Sequence, residues 1–136
     1  NPKKYVILGL RGGLYDPNDL KWAIDQGITI ISTDSFYEIG MEETIKIIKH
    51  VLGDTKTYFT FDIDGIDPTF APGTGTPEVG GISVREAQLI IRQLNTLNFI
   101  GADVVEVSPP FDVNNMTSLV GATIAFEILC TMTKTN

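Results

Sequence analysis

The chain has 136 residues, 43% of them hydrophobic and 20% charged, with a formal net charge of −7; that is the balance of one globular domain around a single core. The acidity argues against a general nucleic-acid binder, which needs clustered Lys and Arg for the phosphates, and against an anionic membrane surface. Metal cations or small cationic molecules suit it better, and the single Cys130 excludes an intrachain disulfide framework and is compatible with a reducing, cytoplasmic setting.

In chain order, "YVILGL" (5–10) is a short continuous apolar run and predicts a buried strand. A chain that opens almost directly on such a run looks like a piece cut between elements. In "DPNDLKWAIDQG" (16–27) Asp16 can cap a helix, Pro17 suits its first turn and Gly27 ends it. "ITIIS" (28–32) predicts a second strand, and "MEETIKIIKHVLG" (41–53) a helix with Ile45, Ile48 and Leu52 on one face. "TYFTFDI" (57–63) predicts a third strand, and "SVREAQLIIRQLN" (83–95) a helix opened by the capping-box spacing of Ser83 and Glu86. "IGADVVEVS" (100–108) predicts a fourth strand, and a last helix covers 117–133, where Cys130 reads as a small core residue.

No apolar run approaches the ~18 residues of a membrane span, and no signal-peptide pattern or internal repeat occurs. Strands of buried type alternating with helices imply an α/β fold, a parallel sheet with helices on both faces. Sites in such sheets gather outside the carboxyl ends of the strands, where Asp62, Asp64 and Glu106 fall.

The stretch "TFDIDGIDPTFAPGTGTPEVGG" (60–81) sets Asp62, Asp64 and Asp67 within six positions, with no Lys or Arg among them. Asp62 and Asp64 share one strand face, and two carboxylates about 6 Å apart repel by about 3 kcal/mol at an effective dielectric of 20. Two readings stand. Either the carboxylates are solvated or cap a turn, or they bind a hard divalent cation such as Mg²⁺ or Mn²⁺; the apolar strand leading in favours the cation. An EF-hand loop fails, because counting from Asp62 puts Ile66 and Asp67 where an acidic residue and a glycine belong, and no helix leads in. A phosphoaspartyl pattern, D-x-D-x followed by Thr or Val, fails at Ile66. D-x-D alone also occurs in metal-dependent glycosyl transfer, but the rest of the motif does not fit. Gly73, Gly75, Gly80 and Gly81 lack the G-K-[ST] ending of a phosphate loop. Asp67-Pro68 reads as an Asx-type turn or as a further ligand. Thr74 and Thr76 read as loop hydrogen-bonders or as hydroxyls offered to a polar ligand.

This long motif resembles the second metal motif of the ureohydrolases, the family of arginases, agmatinases and guanidino-acid hydrolases. "DVVEVSPPFD" (103–112) resembles the later stretch that carries the family's acidic substrate-binding residue. "APGTGTPEVGG" and "SPPFD" are more similar to the agmatinase and guanidino-acid hydrolase branch than to the arginases proper. The resemblance runs from "LGLRGGLYD" to the last helix and implies an arginase-like α/β/α fold, of which residues 1–136 are the C-terminal portion of a single domain. It implies hydrolysis of a small cationic guanidino substrate to urea and an amine by a pair of Mn²⁺ ions, or another divalent transition metal. Asp62 and Asp64 would then be metal ligands, Glu106 would face the guanidinium and Thr76 would line the substrate pocket. Asp67 would support the loop or stabilise the charged intermediate. A homo-oligomer, trimer or hexamer, is also implied.

The family's other ligands, a single His and an Asp-x-His-x-Asp motif, belong upstream of residue 1. "STDSFYE" contains no such motif, and the one histidine, His50, reads as a helix-end residue rather than a ligand. The expectation is therefore an incomplete and, by itself, inactive part of a hydrolase. The competing reading is a non-catalytic remnant serving as a scaffold or subunit partner; three acidic groups kept together favour the hydrolase.

Overall fold

Every strand leads into a helix, as the alternating pattern predicts, in a computed structural model that describes residues 1–133. β1 (Val6–Leu10) pairs in parallel with β2 (Thr29–Ser32), and α1 (Lys21–Asp25) lies in the crossover between them. The sequence predicts a helix from Asp16, but residues 16–20 form turns instead. The Asp16 carboxylate accepts from the Asn18 N–H at 2.7 Å, and Asp19 accepts from the Tyr15 and Asp16 N–H groups at 2.9 and 3.0 Å. These local bonds offer the backbone an alternative to the helical ladder. Gly27 ends the helix at a φ of +84°, the conformation its lack of a Cβ permits.

α2 (Thr33–Ile39) is a short helix beyond those the sequence predicts; the Ser32 hydroxyl caps it by accepting from the Ser35 N–H at 3.1 Å. α3 (Met41–Leu52) follows and buries Ile45, Ile48 and Leu52, the face its spacing predicts. β3 (Thr57–Asp62) pairs in parallel with β4 (Phe99–Val105), with α4 (Val84–Gln93) in the crossover. The capping box forms at its start: Ser83 accepts from the Glu86 N–H, and Glu86 accepts from the Ser83 N–H at 2.7 Å.

α5 (Met116–Thr133) begins where Asp112 accepts from the Thr117 and Ser118 N–H groups, both at 2.8 Å. Burial works to raise the Asp112 carboxyl, but hydrogen bonds from Ser118 and Thr117 outweigh it and hold the carboxyl below the usual range. With the residues just before it (113–133), α5 is long and apolar enough to cross a membrane by length and composition. That corrects the expectation that no segment reaches such a length, which counted only uninterrupted apolar residues. Here the helix packs on α4 and β4, with Ile124 and Ile128 buried and Glu127 paired to Arg92.

The strands thus form two parallel pairs, β1–β2 and β3–β4. Between β1 and β3 lies a cavity of about 460 Å³ lined by both. The core gathers under the strand ends. Ile63 and Ile66, in the turn after β3, are 0% and 1% exposed and pack with Ile91 and Ile124. Their burial decides where the acidic residues go: the isoleucines of "DIDGID" point inward and leave Asp62, Asp64 and Asp67 at the rim.

Candidate active site

β3 stops at Asp62, and a 3-10 turn, Ile63–Gly65, follows. The Asp62 side chain accepts from the Asp64 N–H at 3.0 Å, which caps that turn. Asp64 in turn accepts from the Thr76 hydroxyl at 2.9 Å. The two aspartates and Thr76 are therefore joined by hydrogen bonds. Burial pushes the Asp62 carboxyl above its usual range; the Asp64 N–H opposes the rise, and the charges of Asp64 and Glu106 add to it.

Asp67 behaves differently. One oxygen accepts from the Thr69 N–H at 2.9 Å, and the other from the Gly80 and Gly81 N–H groups at 2.8 and 3.1 Å. The Thr69 side chain foremost, then the Thr69, Gly80 and Gly81 N–H groups, lower its carboxyl to about 2. The Asp67 N–H also donates to the Ile82 carbonyl at 2.9 Å, so this one residue joins both ends of the loop 67–82. Gly81 must be glycine here, because a Cβ would sit 2.5 Å from the Asp67 nitrogen.

Glu106 stands immediately after β4, exposed, with a φ of +64° that a glutamate rarely adopts. The same loop is brought to it. Thr74 bridges Val107, and the Ser108 N–H donates to the Gly73 carbonyl at 2.8 Å. Gly73 is packed against Asp112 and Thr117, where a Cβ would come within 2.7 Å of the Asp112 side chain. The carboxyl ends of β3 and β4 and the 63–82 loop thus converge on one acidic rim.

Arg11 was not anticipated at this site. Just past β1, its guanidinium donates to the carbonyls of Asp64 at 2.6 Å, Gly9 at 3.2 Å and Val79 at 3.2 Å, and also to that of Glu78. It neutralises no aspartate directly; it holds the backbone on either side of the motif. The only signal in the sequence was a single arginine at a strand end before two glycines. His50 lies exposed in the last turn of α3, as the sequence predicts.

Asp62 and Asp64 have the oxygen chemistry a hard or borderline divalent cation prefers, and the charges of Asp64 and Glu106 reach Asp62. Yet among the described residues no group of three or more His, Cys, Asp or Glu is positioned to hold a metal ion. The donors fit by type and form only part of a set.

The family model described as Arginase family matches residues 1–131. The guanidinopropionase of Pseudomonas aeruginosa is 50% identical over 130 residues, covering 96% of this chain and 41% of that protein. The mitochondrial agmatinase of Gallus gallus is 40% identical, covering 95% of this chain and 38% of that protein. Among solved structures, the proclavaminate amidino hydrolase of Streptomyces clavuligerus superposes with a TM-score of 0.92 at 36% identity, over 99% of this chain and 44% of that one. The arginase of Bacillus subtilis gives 0.85 at 31% identity, over 94% and 46%. The chain spans about two-fifths of the length of the curated relatives it matches. Its strand order, its acidic loop and these likenesses agree, and the chain belongs to the arginase family.

Proposed function

We propose that the chain carries one wall of an active site that hydrolyses a guanidino compound to urea and an amine, and that this wall does not turn over substrate alone. The observation that carries the reading is the clustering of Asp62, Asp64 and Glu106, with the Asp62 carboxyl raised by burial and by its acidic neighbours. Such repulsion is costly unless cations share the site. A scaffold would have no need of it.

Asp62 and Asp64 are the chain's donors for a divalent cation pair, with Mn²⁺ the expected metal and the remaining ligands supplied from outside these residues. Such a pair, when bound, makes hydroxide available near neutral pH. Glu106 offers its charge to the guanidinium and orients it; Thr76, fixed by Asp64, lines the pocket. Of the two roles implied for Asp67, we assign loop support, since both its oxygens already accept backbone N–H groups. The names of the relatives, guanidinopropionase and agmatinase, support a small guanidino substrate. Large exposed side chains such as Trp22 and Phe126, 69% and 65% exposed, support a chain covered within a larger assembly.

Urea release with Mn²⁺ across agmatine, guanidinopropionate, guanidinobutyrate and guanidine tests the reading. The chain alone is expected to release none above the metal blank. Joined to the remaining length of a relative, it is expected to act on at least one of these, and Asp62→Ala or Glu106→Ala to slow it by about 100-fold or more. Steady release by the chain alone, lost in Asp62→Ala, would overturn the claim of incompleteness. No release by the joined protein on any substrate would overturn the claim of chemistry.

A further inference from the structure

We propose that α5 sets the spacing between Thr76 and Glu106, with the Thr117 hydroxyl as the positioning group, a role that rests on the hydrolytic reading of those two residues. Thr76 is exposed on the loop 67–82, and Glu106 is exposed just past β4. What lies behind them is covered: Gly73 and Thr74 are buried, and Val107 is half-buried beside Glu106. The exposed pair therefore takes its positions from a buried seam.

Gly73 is the centre of that seam. Its N–H donates to the Thr117 hydroxyl at 2.8 Å, and Thr117 is 0% exposed. Its carbonyl accepts from the Ser108 N–H at 2.8 Å, and Thr74 bridges Val107 in antiparallel sense. Both polar backbone groups of one residue are thus committed, one to α5 and one to the chain leaving Glu106. Only a glycine fits this seat, since a Cβ would meet Thr117 Oγ1 at 2.9 Å as well as Asp112. Thr117 is itself held, because its N–H donates to Asp112 at 2.8 Å. One turn further along α5, Gly121 lies against Val107, where a Cβ would come within 3.2 Å of Val107 Cγ2. Residues four apart share a helix face, so one buried face of α5 touches both sides of the seam.

The rest of the loop is anchored elsewhere. Arg11 holds the Asp64 carbonyl at 2.6 Å, and Asp67 holds the Gly80 and Gly81 N–H groups. Thr76 is tied to Asp64 at 2.9 Å, so its distance from the aspartates is set within the loop. Its distance from Glu106 is set through Gly73, Ser108 and α5. A misplacement of about 1 Å can slow a reaction by about 100-fold. Loosening Gly73 should therefore disturb how a guanidinium is oriented between Thr76 and Glu106, and leave Asp62 and Asp64 where they are.

Three readouts on the joined protein test this: steady-state urea release, Mn²⁺ affinity and hydrogen exchange of the Gly73 amide. Thr117→Val keeps the side-chain shape and removes the acceptor, whereas Thr117→Ser keeps the acceptor. Thr117→Val is expected to lower kcat at saturating Mn²⁺, and to speed Gly73 exchange, each by about 10-fold or more, with Mn²⁺ affinity unchanged. Thr117→Ser is expected to stay within about twofold of the parent in all three. A kcat kept in Thr117→Val, or lost equally in Thr117→Ser, would overturn the role of the hydroxyl. So would Mn²⁺ affinity falling in step with kcat, the sign of a loop loosened as a whole. Should Thr117→Val not fold, Gly121→Ala decides, since it keeps the hydroxyl, suits a helix and presses on Val107. It is expected to lower kcat by about threefold or more without lowering the unfolding midpoint, and an unchanged kcat would overturn the proposal. The parent separates the two claims. Urea from the parent with unaffected variants refutes the positioning alone; no urea from the parent refutes the hydrolytic reading, and this role with it.

Discussion

Asp62 and Asp67 are both aspartates of one loop, yet their surroundings drive them in opposite directions. Asp67, bonded by Thr69, Gly80 and Gly81, is held at about 2, below the ordinary 3.8. Its contribution to the fold is complete above the ordinary range and is lost as pH falls towards 2. Asp62 is raised by burial and by neighbouring charge, so its ionised form burdens the folded state at neutral pH and its protonation favours folding. A carboxyl titration by NMR is expected to find Asp67 titrating below, and Asp62 above, the ordinary aspartate midpoint; the reverse order would refute the assignments. Asp62→Asn keeps an acceptor for the Asp64 N–H and removes the charge. In metal-free protein it is expected to raise stability at pH 7 by up to about 1 kcal/mol, solvent screening allowed for, with the gain vanishing once Asp62 is protonated. A lower melting temperature for this variant at pH 7 would show that the charge is not a burden. Glu106 sets function against backbone comfort: at a φ of +64°, Glu106→Gly is expected to stabilise the fold by about 1 kcal/mol. The same substitution removes the charge assigned to the guanidinium, so in the joined protein calorimetry and urea release should move in opposite directions.

At the scale of elements, what could be read from the sequence was what is decided locally. The buried face of α3 follows from the spacing of Ile45, Ile48 and Leu52, and α4 begins at its capping box because both halves of that device lie within four residues. Ser83→Ala is expected to lower the unfolding free energy by about 1 kcal/mol, read from denaturant midpoints at unchanged slope. An unchanged midpoint would mean that tertiary packing alone sets where α4 starts. α1 falls short of its predicted length because Asp16 and Asp19 bond to backbone N–H groups ahead of it, a competition that a capping pattern does not reveal. α2 went unmarked because "TDSFYEI" is too short to show helical periodicity and starts on a Ser32 cap that also ends a strand. The placing of Asp62, Asp64 and Glu106 at the carboxyl ends of β3 and β4 was legible, because strand ends are set locally. Arg11 was not, because it acts on backbone carbonyls as many as 68 positions away. The split of the strands into two pairs is likewise long-range, and local periodicity carries no record of which strands are neighbours.

For the molecule as a whole, metal binding distinguishes a complete site from part of one. A ligand that binds only the folded state stabilises it by RT ln(1 + [L]/Kd). With Asp62 and Asp64 as the only donors, and no third His, Cys, Asp or Glu grouped with them among the described residues, the chain is expected to bind Mn²⁺ no tighter than about 1 mM. Mn²⁺ at about 1 mM would then add about 0.4 kcal/mol, a rise of roughly 1–2 °C in melting temperature. Once outside polypeptide supplies the remaining ligands, a Kd near 1 μM would make the same addition worth about 4 kcal/mol, and Asp62→Ala should abolish most of that gain. Two thermal melts, with and without Mn²⁺, on the chain and on the joined protein therefore read the division of the site directly. A gain of several kcal/mol in the chain alone would mean that its own residues already make a full cradle, and the reading of Asp62 and Asp64 as one side of a shared site would have to be abandoned.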